Sequence, residues 1–304
     1  MPTTSAQFPL VSATATRLLP MLRELWLLSK PGIVAMCLIT TAGGMALAPG
    51  SLALWQAALV LIGTAGAVAA ASSLNMYLER DVDAKMARTA NRPLPQGRVN
   101  PLVALAYGLV LAAVSLLALW VVSPLAAVIT GLALDGYVLV YTPLKRKSVM
   151  SVFVGLFPGA APPLIGWVAV SGSIDLSAIL LFSVLAFWQI PHFLAIELVY
   201  RRDYQAGGLV IVPSVFGDRA TTHLIALSSL LLVVVSLLIV PMGLASWIYL
   251  AAALLAGGLL VRLALRLSRA SGDALQAAAR RFFFGTLLYL PVLLAGLVID
   301  VVVL

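Results

Sequence analysis

Hydropathy along the chain rises nine times. Predominantly apolar runs near 31–49, 54–76, 101–122, 125–142, 151–171, 177–199, 221–241, 244–265 and 283–304 are separated by shorter polar segments. Spanning a hydrocarbon core takes roughly 20 apolar residues per α-helix, and a helix satisfies its own backbone hydrogen bonds where no water can. The pattern predicts an all-α integral membrane protein of nine transmembrane helices. It divides the chain into a disordered tail over 1–22 and a single transmembrane domain over 23–304. From Leu18 to Lys30 the alternation of apolar and charged positions predicts an amphipathic helix lying at the interface.

Composition and charge add an orientation. The 304 residues are 62% hydrophobic and 10% charged, with mean hydropathy +1.09, which leaves no room for a separate soluble domain. In a nine-span topology all 19 Lys and Arg fall on one side: Arg17, Arg23 and Lys30, then Arg80 to Arg98, Lys145 to Lys147, Arg201 to Arg219, and Arg262 to Arg281. Cytoplasmic flanks retain such residues, so the N-terminus is expected in the cytoplasm and the C-terminus across the membrane. The net charge of +8 then reflects topology and attraction to anionic headgroups; membrane lipid is an expected partner and nucleic acid is not. One cysteine, Cys37, lies in the first run, which excludes disulfides and thiolate metal sites. The first 22 residues lack the pattern of a signal peptide, and a bacterial inner membrane is favoured over a mitochondrial one.

One segment stands apart. Asn75 to Gly97 carries seven charged residues on the end of the second run. Asn75, Glu79 and Asp83 fall at i, i+4 and i+8, so they share a helix face. Mg²⁺ is usually held by one or two carboxylates together with substrate phosphates, and Lys85, Arg88 and Arg92 follow as candidates for the remaining phosphate oxygens. A solvated loop with internally paired charges is the competing reading.

These positions, leading into R-T-A-N-R-P-L-P-Q-G, resemble the first aspartate-rich motif of the UbiA superfamily of intramembrane prenyltransferases. Within it, Y-T-P-L-K-R at Tyr141 to Arg146, P-G-A-A-P-P-L-I-G-W at Pro158 to Trp167 and W-Q-I-P-H-F at Trp188 to Phe193 resemble the protohaem IX farnesyltransferase, or haem O synthase, branch. The resemblance runs from Ser29 to about Gly217. It implies a UbiA-like bundle, Mg²⁺ as cofactor, and transfer of farnesyl from farnesyl diphosphate to the 2-vinyl group of haem b. Water addition completes the reaction, and a haem A synthase or terminal-oxidase assembly partner stands downstream. It also implies a second acidic motif, where Asp203 aligns as a further metal ligand; Arg202 occupies the place of the acid that usually precedes it.

Other residues keep two readings. His192 is either a haem contact or a structural hydrogen-bonding residue, and His223 reads as interfacial. Tyr141, Lys145 and Arg146 are either an aromatic belt with a stop-transfer signal, or a cation-stabilising ring with two bases for diphosphate or a haem propionate. Asp135 is either functional or engaged in a buried hydrogen bond. The prolines of Pro158 to Trp167 are expected to break or kink the fifth span and leave room for a flat substrate. Gly43, Gly44, Gly63 and Gly66 are expected to serve close helix packing. A prenyltransferase acting on a quinone precursor is the alternative enzyme. A transporter is the alternative from another class, although no internal repeat supports it.

Overall fold

The structure is a computed structural model that describes the backbone of residues 12–303 and the side-chain environments of 19–300. The first eleven residues of the expected tail lie outside the described residues; from Ser12 the chain is helical. Helix α1 (Ser12–Leu28) leads at a bend of 57° into α2 (Pro31–Leu47). There follow α3 (Leu54–Asp83), α4 (Pro101–Val122), α5 (Pro124–Leu144), α6 (Ser151–Ser171) and α7 (Leu176–Val199). The short α8 (Arg201–Ala206) precedes α9 (Gly217–Leu237), α10 (Trp247–Ser268) and α11 (Asp273–Val303). Eight of the described helices are long and apolar enough to cross a membrane, and the bent pair α1–α2 makes a ninth.

Local chemistry starts these helices where the sequence changes character. Asn100 accepts from the Leu102 amide at 2.8 Å and Ser123 from that of Ala126 at 3.2 Å, each followed by a proline at the first helical position. Asp175 caps α7 through the Ala178 amide at 2.9 Å. Asp300, near the end of α11, reaches across to cap α10: it accepts from the Ser246 and Tyr249 amides at 2.6 and 3.1 Å and from the Ser246 hydroxyl at 2.7 Å.

Helices α6 and α7 form the centre of the bundle, packed by α2, α5, α9 and α11. In lipid, close van der Waals contact replaces the hydrophobic drive, so small residues mark the crossings. A β-carbon on Gly44 would overlap the Pro163 backbone, and one on Gly166 the Thr41 backbone, which locks α2 against α6. Gly63 and Gly66 meet Leu119 and Ser115 of α4, as expected, whereas Gly43 has nothing within 4 Å and takes no part.

Two irregular turns shape the interior. Pro143 has no N–H to give the carbonyl one turn earlier, and its ring would press on it. The helix opens instead into a π segment, Gly136–Tyr141, in which the Thr142 amide and hydroxyl both bond the Tyr137 carbonyl. In α6 the expected break at Pro158 to Trp167 does not occur: the helix continues through Pro162 and Pro163, and the loosened turn falls at Gly155. The small residues there allow helices to approach as well as lining space. Asp135 is exposed on the outer face of α5, so the buried hydrogen bond expected for it is absent; His223 is exposed too.

Candidate active site

The charged ends of α3, α5 and α7 surround a cavity of about 240 Å³, with Lys30, Asn75, Glu79, Arg88, Arg92, Tyr137, Tyr141, Lys145, Glu197 and Tyr204 among its lining residues. Asn75 and Glu79 stand one helical turn apart and touch: Asn75 Nδ2 donates to Glu79 Oε2 at 2.8 Å and to Thr142 Oγ1 at 3.0 Å. That network assigns the amide orientation, and Asn75 Oδ1 receives Lys30 Nζ at 3.2 Å. Lys145 Nζ lies 2.6 Å from Glu79 Oε1 and donates to Oε2 at 2.7 Å. Glu79 Oε1 is buried, and the ammonium that bridges both carboxylate oxygens is its polar neighbour.

Lys30 was not among the residues expected here. It sits at the α1–α2 elbow with φ 50°, in the left-handed region that a bulky residue before proline rarely enters. Such strain persists where surroundings enforce it; here Ser29 bonds the Tyr107 hydroxyl at 2.8 Å and fixes the elbow to α4. Lys30 is half-buried overall, but its ammonium end is desolvated. Burial first, then the charges of Arg92 and Lys145, lower its pKa to about 7.

The remaining expected residues divide. Arg88 and Arg92 line the cavity, and Arg88 lies over the Tyr200 and Tyr204 rings at 5.4 and 5.8 Å. Asp83 is buried beside the cavity, where Arg92 Nη1 binds both its oxygens at 2.8 and 2.7 Å. Three residues require correction. Lys85 is exposed and faces away from the cavity. Arg146 forms a two-pronged bond on the surface with Asp81, at 3.0 and 2.7 Å. Asp203 accepts from the Arg88 backbone N–H at 3.2 Å and lines a separate charged cavity of about 610 Å³. The acid that α7 contributes to the main cavity is Glu197, whose Oε2 accepts from the Val212 amide at 2.9 Å.

Tyr141 lines the cavity with its ring centroid 4.8 Å from Lys145 Nζ, and Gly155 makes room for the ring. Beneath the polar cavity lies an apolar chamber of about 120 Å³, which shares Ile33 and Tyr137 with it. His192 lies outside both, in the seam between α7 and α11. It stacks on Trp188 and Phe283 with centroids 4.5 and 5.2 Å away, and its Nδ1 is 2.8 Å from Thr286 Oγ1. Thr286 donates to the Phe283 carbonyl at 2.6 Å, which assigns the proton to His192 Nδ1.

Among the described residues no three His, Cys, Asp or Glu side chains form a metal-holding group. The donor chemistry nevertheless fits Mg²⁺, which takes oxygen ligands from one or two carboxylates and completes its shell with water and phosphate. Glu79 and the adjacent Asn75 Oδ1 offer such oxygens, each held by a lysine ammonium.

An apolar chamber set against a cavity lined by bases, inside a helical bundle, suits a membrane-embedded enzyme of the prenyltransferase class. The chain belongs to the UbiA prenyltransferase family, which it matches over residues 37–288. Among its relatives, the protoheme IX farnesyltransferase of Anaeromyxobacter dehalogenans (strain 2CP-C) is 47% identical over 94% of this chain and 97% of its own length. That of Myxococcus xanthus (strain DK1622) is 42% identical over 95% and 98%. A solved digeranylgeranylglyceryl phosphate synthase superimposes with TM-score 0.79 at 15% identity, covering 93% of this chain and 99% of that one. A UbiA homolog from Archaeoglobus fulgidus bound to GPP and Mg²⁺ gives TM-score 0.64 at 18% identity, over 90% and 99%.

Proposed function

We propose that this chain is a haem O synthase, which transfers the farnesyl group of farnesyl diphosphate to the 2-vinyl group of protohaem IX (haem b), with water addition, giving haem O and diphosphate. One observation carries the diphosphate half of this reading: Lys30, Arg88, Arg92 and Lys145 line one cavity with the Asn75–Glu79 pair, next to an apolar chamber. The haem half rests on the relatives named above.

The barrier is separation of an allylic cation from a highly charged leaving group. The four bases would draw the diphosphate to the Asn75–Glu79 level and stabilise the negative charge that grows on it. Mg²⁺, held by Asn75, Glu79 and an Asp83 released from Arg92, would supply further positive charge against the departing oxygen. Tyr141 would turn its ring face to the cation, and the chamber beneath Tyr137 would take the isoprenoid tail and keep water from it. Vinyl π-electrons then bond to farnesyl C1. His192 is the proposed haem contact, because its Nδ1–H is committed to Thr286 and Nε2 carries the lone pair.

The active site would face the cytoplasm from a bacterial inner membrane, with haem O passing to a haem A synthase or a terminal-oxidase assembly partner. The test is incubation of purified protein with haem b, farnesyl diphosphate and Mg²⁺, followed by chromatography and mass spectrometry of extracted haems. A product heavier by one farnesyl and one hydroxyl group is expected. Unchanged haem beside prenylation of a supplied aromatic acceptor would place the chain in another branch of the family.

A further inference from the structure

Farnesyl transfer leaves a problem that the bases and the metal ligands do not solve. Once the terminal vinyl carbon has bonded to farnesyl C1, and the C1–oxygen bond has broken with its electrons on diphosphate, the positive charge lies on the vinyl carbon attached to the porphyrin. A water lone pair must form a C–O bond to that carbon. One O–H bond of the water must then break, its electrons staying on oxygen and its proton leaving. Nothing is oxidised or reduced, but the proton needs an acceptor.

We propose that Glu197 is that acceptor: its carboxylate holds the capturing water in the cavity and takes its proton. The inference rests on the haem O synthase reading and adds a residue to it. Glu197 is 8% exposed and lines the same cavity as Glu79, Tyr141 and Lys145. Its Oε2 is anchored by the Val212 amide at 2.9 Å. Among the described residues it has no ion-pair partner and no second hydrogen-bond donor, so Oε1 is unengaged. A buried charge without a base beside it is expensive, and a bound water is one way to satisfy it.

The alternatives in the cavity are already committed. Glu79 is bridged by Lys145 and bonded by Asn75. The Lys and Arg side chains carry the charge that diphosphate requires. Burial raises the pKa of Tyr204, which keeps that phenol protonated. Glu197 comes from α7, whose next inward residues on the same cavity wall, Ile196 and Phe193, are apolar. On that wall Glu197 is the α7 side chain able to hold a water.

The experiment compares wild type with Glu197→Gln and Glu197→Ala, using haem b, farnesyl diphosphate and Mg²⁺, and reads farnesyl diphosphate binding, diphosphate release and the masses of the haem products. Glutamine still accepts from Val212 and preserves the fold. With wild type active, both variants are expected to bind farnesyl diphosphate normally and to form the hydroxylated haem about 100-fold more slowly. The remaining product should shift to a species lighter by one water, formed when the cation loses a proton. Hydroxylated product at the wild-type rate in both variants overturns the base. So does a parallel loss of farnesyl diphosphate binding and all products in Glu197→Gln, which marks a structural residue. A wild-type protein that makes no farnesylated haem overturns the reaction itself, and the base with it.

Discussion

Lys145 Nζ stands 2.6 Å from Glu79 Oε1 and 2.7 Å from Oε2, joining the end of α5 to the wall of α3. Both side chains are largely buried, at 18% and 6% exposure. A diphosphate arriving in the cavity would share that ammonium. Glu79→Gln is expected to lower kcat by at least about 100-fold while the protein still folds, because a neutral amide takes the place of the charge. Steady-state rates with farnesyl diphosphate check this; near-normal turnover would remove Glu79 from the reacting centre.

Lys30 makes the site sensitive to pH. Its pKa falls from 10.5 to about 7, so between these values the unfolded chain binds more protons than the folded one. This group's contribution to stability therefore rises with pH across that window. Diphosphate binding runs the other way: an anion beside Lys30 restores its ammonium, so binding above pH 7 takes up a proton and weakens as pH rises. Titration calorimetry with inorganic diphosphate in two buffers of different ionisation enthalpy should show this uptake in the native protein and its loss in Lys30→Met.

Asp83 is held by Arg92, so in the proposed site the arginine would have to turn to the substrate before this carboxylate could hold Mg²⁺. Arg92→Lys, which cannot repeat the two-pronged bond, should raise the Mg²⁺ affinity of the resting protein yet lower turnover by about tenfold or more. Mn²⁺ binding followed by paramagnetic resonance separates the two effects.

The chamber beneath Tyr137 should set tail length. Ala133 is buried on its wall, and Ala133→Phe would fill much of its roughly 120 Å³. Competition between diphosphates of different chain length should then favour geranyl over farnesyl. An unchanged preference would place the tail elsewhere.

Gly44 and Gly166 permit the α2–α6 crossing. Gly44→Ala or Gly166→Ala should cost about 1–3 kcal/mol by forcing the backbones apart, seen as a lower melting temperature in detergent. Gly43→Ala, with open space around it, is the matched control.

Much of this was legible beforehand. Spans are written in runs of apolar residues, and Asn75 with Glu79 follows from i, i+4 spacing on a helix that does continue to both. Asp83 is expected on the same face, but each step of four residues drifts by about 40°, and after two steps it stands off that face, where Arg92 collects it. Lys85 and Arg146 are expected from nearness in sequence and Asp203 from the second acidic motif of the resemblance, and neither gives a direction once a helix has ended. Lys30 was hidden at the head of the first run, where its charge looked like an orientation signal, and only a backbone elbow turns it inward. Glu197 was visible as an acid at the end of α7, but its choice over Asp203 depends on which side of the helix meets Val212.

The π segment at Gly136–Tyr141 holds one residue more than a regular helix needs between the same two ends. The Thr142 amide bonds a carbonyl five residues back, so taking one residue out of the segment would convert that bond into the ordinary four-residue kind. Thr142 would stay beside Asn75 and Lys145 beside Glu79, whereas a deletion from a regular helix turns everything beyond it by about 100°. The segment is a place where the length of α5 can change without dismantling the cavity.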